Sequence, residues 1–271
     1  DENVSIDVKM VSSIDPADVD TVNAIKEKFD KEVGTLRPDF ASCKNICDLV
    51  KTKIEALGMD TTGVTVSVKS SDDPDTVATD GTIHYYAQAP NSFTAVNSKN
   101  INLVFVFEKN GAKAETAESR ATIGWDRDYF NTQMAADQEN LTWDKIKGSN
   151  TDAAEVTSNL TLPQCMSSSV NTAWSKITWT SSDESVISFK DTGWGSLIDA
   201  KEGVVTPQQE DKEVTLTATF NANDRLLNGY VEKVSDFATL TKEFKVTVKG
   251  TGITKPTEEE LRAILDKYYT E

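Results

Sequence analysis

Along the second half of the chain, apolar and polar residues alternate strictly. Val214-Thr-Leu216-Thr-Ala218-Thr-Phe220 does so over seven residues, and Ile177-Thr-Trp179 and Phe244-Lys-Val246-Thr-Val248 repeat the pattern. Successive side chains of a pleated strand point to opposite faces, so this period of two predicts strands with one apolar face and one wet face. Such strands belong to antiparallel sheets packed face to face, because parallel sheets are apolar on both sides.

The first half carries the same elements in the same order. Val64-Thr-Val66-Ser-Val68 leads into Lys69-Ser-Ser-Asp72, as Lys176-Ile-Thr-Trp179 leads into Thr180-Ser-Ser-Asp183. Asn100 to Phe107 then stands against Glu213 to Phe220, and Arg120 to Ile123 against Lys245 to Val248. The offset between halves grows from 111 through 113 to 125 residues, which assigns the second half a longer final loop, Asn221 to Thr239. This is the signature of an internal repeat, each copy about one domain of ~125 residues.

Helical spacing marks the remaining segments. Asp15-Pro16 predicts an N-cap and first helical residue, followed by Val19, Val22, Ile25, Phe29 and Val33 on one stripe. A second helix is predicted from Phe40 to Leu57, with Cys43, Ile46, Cys47, Val50 and Ile54 on one face and Gly58 as the stop. A shorter helix begins near Asp128 with Phe130 and Met134. Thr257-Glu-Glu-Glu260 is a capping box that opens a last helix through Leu261, Ile264, Leu265 and Tyr268. With a junction at Gly124 to Arg127, the expected domains are 1–126 and 127–250. Residues 251–271 are expected to start a linker helix or a next repeat.

One stretch resembles a known family. Ile177-Thr-Trp-Thr-Ser-Ser-Asp-Glu-Ser-Val-Ile187 is preceded by Asn159-Leu-Thr-Leu-Pro163. It is followed by Gly203-Val-Val-Thr-Pro207, Val214 to Phe220 and Lys242 to Val248. Together these resemble the atrophied bacterial immunoglobulin-like domain over about residues 130–250. The first half is similar to a divergent copy: it keeps Ser70-Ser-Asp72 and Gly81-Thr-Ile83, has Val68 where Trp179 stands, and puts the cysteine-bearing helix in place of the Leu-Thr-Leu-Pro segment. The resemblance implies a mostly β chain with added helices, folded as tandem immunoglobulin-like antiparallel β-sandwiches. It implies a secreted or cell-surface bacterial protein with no shared catalytic residues. The role implied is spacer or adhesion domain, or carbohydrate-binding accessory region of a larger secreted glycoside hydrolase. Within the motif, Trp179 is expected to fill the space between sheets and Gly203 to break the pattern before a strand.

Charge narrows the partners. Forty-four acidic residues against 28 basic ones give a net charge of −16, which repels phosphate backbones and anionic headgroups and argues against nucleic-acid binding. No run of ~18 apolar residues is present, so no membrane insertion is expected. Asp1-Glu2-Asn3 begins the chain without a signal-peptide pattern. The three cysteines do not form a disulfide framework. Cys43 and Cys47 read as small core residues, with an intrahelical disulfide or a metal pair as alternatives. His84 is the one histidine, and no Gly-x-Ser-x-Gly, phosphate-loop or Cys-x-x-Cys motif occurs. No catalytic residue, metal or cofactor is therefore expected, and no enzymatic activity. Asp72, Asp73, Asp75 and Asp80 form either a solvated acidic turn or a calcium loop. Aromatic residues on loops are the binding leads: Trp194 between two glycines, with Tyr230 and Phe237 in the final loop. The expected partner is a glycan or a host or matrix protein, and the expected state a monomer.

Overall fold

The computed structural model describes residues 14–87, 98–168, 170–192, 200–227, 233–253 and 256–269. The chain divides between Arg127 and Asp128 into two compact units.

In the first unit, Asp15 caps α1 (Pro16–Glu32) by accepting the Ala17 amide at 2.9 Å. The helix buries Val22, Ile25 and Phe29 completely. Next come α2 (Ile46–Ala56), β1 (Thr65–Ser71), β2 (Lys99–Lys109), β3 (Ala112–Glu115) and β4 (Ser119–Ile123). β2 is the centre of an antiparallel sheet: β1 pairs along one edge, and β3 and β4 pair with the two ends of the other. A two-residue turn joins β2 to β3. Asn110 and Gly111 both take positive φ there, 48° and 90°, as the tight hairpin that follows strand twist requires. Buried Ile101, Leu103, Phe105 and Phe107 of β2 face α1, whose Phe29 meets Phe105 and Phe107 edge-on with centroids 5.7 Å apart in each case.

The helix predicted from Phe40 begins instead at Ile46. Residues 40–45 make strand-like and turn bonds: Ile83 donates to Lys44, Ile46 donates to Gly81, and Asn45 bridges Thr82. The Asn45 side chain then accepts the Cys47 amide at 2.8 Å and caps α2. A capping asparagine in the middle of an apolar stripe divides it into a turn and a shorter helix.

The second unit holds α3 (Arg127–Asn140), α4 (Trp143–Ile146), β5 (Leu160–Pro163), β6 (Ser175–Ser181), β7 (Ile187–Asp191), β8 (Ala200–Val205), β9 (Lys212–Ala222), α5 (Asp224–Leu227), β10 (Leu240–Val248) and α6 (Glu258–Tyr269). Two three-stranded antiparallel sheets form, in the orders β10-β9-β6 and β5-β8-β7. Their inward residues share one core: Leu160 and Leu162 from β5, Ile177 and Trp179 from β6, Leu216, Ala218 and Phe220 from β9, and Val246 and Val248 from β10. Gly203 lies inside β8 rather than ahead of a strand. A Cβ there would sit 3.1 Å from Leu160 Cβ and from Leu162 Cδ1, so glycine is what lets β5 cross this closely.

The internal registers of the two units correspond. β1-β2-β4 and β6-β9-β10 have the same strand order. Lys99 opposes Ile123 as Lys212 opposes Val248, and Val68 opposes Phe105 as Trp179 opposes Ala218. One bulge separates them. The register of β1 slips between Val68 and Ser70, which moves the matching turn on by one residue. Ser71-Asp72-Asp73, not Ser70-Ser71-Asp72, is the structural counterpart of Ser181-Ser182-Asp183. The bonds agree in detail: Asp72 and Ser182 donate to Asn102 and Thr215 at 3.1 and 2.9 Å, and their side chains accept the amides of those same residues at 2.9 Å each. Each unit also joins an upstream residue to its last strand by a parallel bridge, Leu36 to Ala121 and Val156 to Val248. The units differ in the second sheet. Among the described residues of the first unit only isolated bridges stand there, Asn45–Thr82, Val77–Ile83 and Tyr86–Trp125, where the second unit has β5, β7 and β8. The chain is thus β-rich, with antiparallel sheets and added helices.

Candidate functional site

Of the three aromatic leads, Trp194 and Tyr230 lie outside the described residues. Phe237 is described, and it is not a platform. The short turn Val234–Asp236 is closed by the Lys233 amide donating to the Asp236 carboxylate at 2.9 Å. This turns Phe237 inward, where it is 6% exposed with its ring centroid 4.6 Å from that of Phe130. Phe130 also meets Trp174 edge-on at 5.1 Å. A ring packed this way offers no face to a sugar. Sequence position in a long loop did not reveal this, because the partners sit on α3 and on the segment before β6.

Trp179 is 7% exposed and points into the core. Its indole N–H donates to the Pro163 carbonyl at 2.9 Å, and its ring lies 6.0 Å from Phe244.

The first unit carries an open hollow of 560 Å³, lined by Asp73, Asp75, Thr76, His84, Tyr85, Tyr86, Ala87 and Lys99. It forms where the turn after β1 meets the start of β2. His84 donates its backbone N–H to Thr76 at 2.8 Å and has an exposed side chain. Tyr86 holds its place by edge contact with the buried Trp125 at 4.7 Å. Tyr85 is anchored from inside, its hydroxyl donating to the Cys43 carbonyl at 2.6 Å. Sequence reading named His84 and the acidic cluster separately. Lys99 is not legible as their neighbour, since the turn and β2 are brought together only by the fold.

Asp72, Asp73 and Asp80 serve the turns. Asp73 pairs with Lys99, which holds its carboxyl below the usual range, helped by the hydroxyl and amide of Thr76. Asp72 accepts the Asn102 amide, and Asp80 accepts the Thr82 amide at 2.9 Å. Among the described residues no three His, Cys, Asp or Glu side chains converge as a metal-holding group. The Thr76 hydroxyl donates to Asp73, so it is not presented to His84 as a nucleophile would be. What the hollow offers is hydrogen-bonding groups, a tyrosine ring, the carboxylates of Asp73 and Asp75, and a lysine already paired with Asp73. That set can hold a polar ligand, and among the described residues it shows no activated nucleophile.

A smaller groove of 210 Å³ is lined by Thr35, Arg37, Ser98, Asn100, Arg120 and Thr122. Cys43, Cys47 and Cys165 are buried thiols. Burial pushes the Cys47 thiol up to about 11, with Asp48 and Asp80 adding to the effect. Such a thiol is neutral and unreactive at ordinary pH.

No family model matches the chain, and no curated protein matches it. Among solved structures, the Protocadherin GammaB4 extracellular domain is similar over 70% of this chain and 28% of its own length, at 12% identity and a TM-score of 0.25. At that score the likeness carries no argument, and the chain spans well under a third of that protein's length. Among the described residues no helix is long and apolar enough to cross a membrane.

Proposed function

We propose that the chain is a non-catalytic extracellular module, built from two immunoglobulin-like units and acting as a spacer or adhesion segment of a bacterial surface or secreted protein. The observation that carries this reading is the repeated register: the same order of three strands, the same bonded turn and the same parallel bridge recur in both units. In the second unit two antiparallel sheets share one core, which supports an immunoglobulin-like sandwich there; in the first unit α1 covers the corresponding sheet. The acidic surface, at net charge −16, suits a solvated segment that resists non-specific association. The test is surface labelling of intact source cells with a membrane-impermeant biotin reagent, followed by capture with antibody to the purified chain. Labelling without lysis supports the reading. A chain labelled only after lysis contradicts it.

A second reading is a carbohydrate-binding accessory region, and the hollow around His84 and Tyr86 favours it. Mixed hydrogen-bonding groups beside an aromatic ring are what sugar recognition uses. A glycan array probed with the full chain and with Tyr86→Ala tests it: signals lost in the variant support a site there, and a blank array for both removes it.

A further inference from the structure

The last helix is apolar on a face that no described residue covers. Leu261, Ile264, Leu265 and Tyr268 of α6 are 47, 51, 53 and 80% exposed, although their i, i+3, i+4, i+7 spacing is that of a core-facing stripe. The helix is well specified: Thr257 caps it through a reciprocal box with Glu260, and Glu258 pairs with Arg262 at 2.8 Å. Its sequence says what the stripe is for. Leu261-Arg-Ala-Ile-Leu-Asp-Lys-Tyr268 aligns without gaps on Val22-Asn-Ala-Ile-Lys-Glu-Lys-Phe29 of α1. Alanine, isoleucine and the second lysine are identical, and leucine for valine, aspartate for glutamate and tyrosine for phenylalanine keep the chemistry. In α1 the matching stripe, Val22, Ile25 and Phe29, is wholly buried against β2.

We propose that α6 is a second helix of the α1 kind, and that its Leu261–Ile264–Tyr268 face covers a β2–β3-type sheet carried by a further repeat of the same polypeptide. This rests on the reading of the chain as repeated units. The sheet of a second copy is a poorer occupant, because α1 already covers it with Val22, Ile25 and Phe29 at 0% exposure. An incoming α6 would have to displace an intramolecular helix that buries its whole stripe.

Two measurements decide this. In the first, residues 22–32 of the full chain are replaced by the sequence of residues 261–271. Amide exchange at Phe105 and Phe107 is then compared with that of the same graft carrying Ile25→Asp. The proposal expects protection to persist in the graft and to be lost in the aspartate control. Equal loss in both overturns it. In the second, the full chain is extended after Glu271 by a copy of residues 33–127, a sheet without its own helix. Exchange of the α6 amides slows at least ~100-fold if α6 seats on that sheet, and unchanged exchange overturns the proposal. A concentration-dependent dimer of the unextended chain that Ile264→Asp abolishes would assign α6 to a second copy and also overturn it. These readouts leave the two-unit plan itself untouched, so their failure is distinguishable from failure of that plan.

Discussion

The opposed pair Trp179–Ala218 occupies the place that Val68–Phe105 occupies in the first unit. One unit sets a large residue on the first strand against a small one on the second, and the other unit reverses this. If the two pairs are true counterparts, bulk can be exchanged across the strands. Trp179→Val alone removes most of a buried side chain, at about 3 kcal/mol. It also takes the indole N–H away from the Pro163 carbonyl, for a further ~1–3 kcal/mol where that oxygen stays dry. Ala218→Phe alone forces a ring into a filled core, at ~1–3 kcal/mol, because Ala218 is fully buried beneath Trp179. Together the two changes recreate the small–large arrangement of Val68 and Phe105. The double variant should be more stable than the sum of the singles by ~1–3 kcal/mol, and still below the native chain by roughly the value of the lost indole bond. Urea unfolding followed by far-ultraviolet circular dichroism measures all four corners of the cycle. Costs that add within ~0.5 kcal/mol would mean that these side chains do not oppose each other, and would refute the correspondence between units.

Three further outcomes follow from particular residues. Gly81 has φ of 86°, and a Cβ there would meet Asn45 Oδ1 and lie 2.8 Å from Cys47 Sγ; Gly81→Ala should therefore destabilise the first unit by more than ~1 kcal/mol, read as a lowered urea midpoint. Cys43, Cys47 and Cys165 are buried thiols, so a thiol-reactive disulfide reagent should label them slowly in the native chain and at once in denaturant, and fast native labelling of Cys47 would contradict its burial. Burial raises the Asp137 carboxyl above its ordinary value of 3.8, against the opposing bond from the Ser175 amide. The native state therefore holds that proton more tightly than the unfolded chain, and stability from this group is lost as pH rises from the ordinary value through the raised one. Asp137→Asn removes the effect, so the urea midpoint of the native chain should fall relative to the variant as pH rises above about 4; parallel profiles would refute it.

The strands were legible because each half-buried strand writes its period of two directly into the sequence, as Val214 to Phe220 does. The repeat was legible for the same reason, to within one residue. The bulge at Val68 to Ser70 was not, because an extra residue in a serine-rich stretch leaves no apolar mark. The start of α2 was misread because Phe40 and Cys43 continue the apolar stripe of the helix, while the bonds of Lys44 and Asn45 to residues 81–83 are long-range and silent in local pattern. Phe237 was misread for a related reason. A loop aromatic looks exposed until the ring that covers it, Phe130 more than a hundred residues earlier, is known. Within the hollow of the first unit the sequence showed the components, His84 and the aspartates, but their meeting with Lys99 is a product of tertiary structure.

Pulling the full chain from its two ends by atomic force microscopy tests the two-unit account most directly. Each unit is closed by a parallel bridge between an upstream residue and its last strand, Leu36–Ala121 and Val156–Val248, and tension along the chain loads these bonds in shear. The account predicts two separate unfolding events, each releasing about 30 nm of chain at the ~3.3–3.6 Å that an extended residue spans. A single event that releases the length of both units together would contradict it.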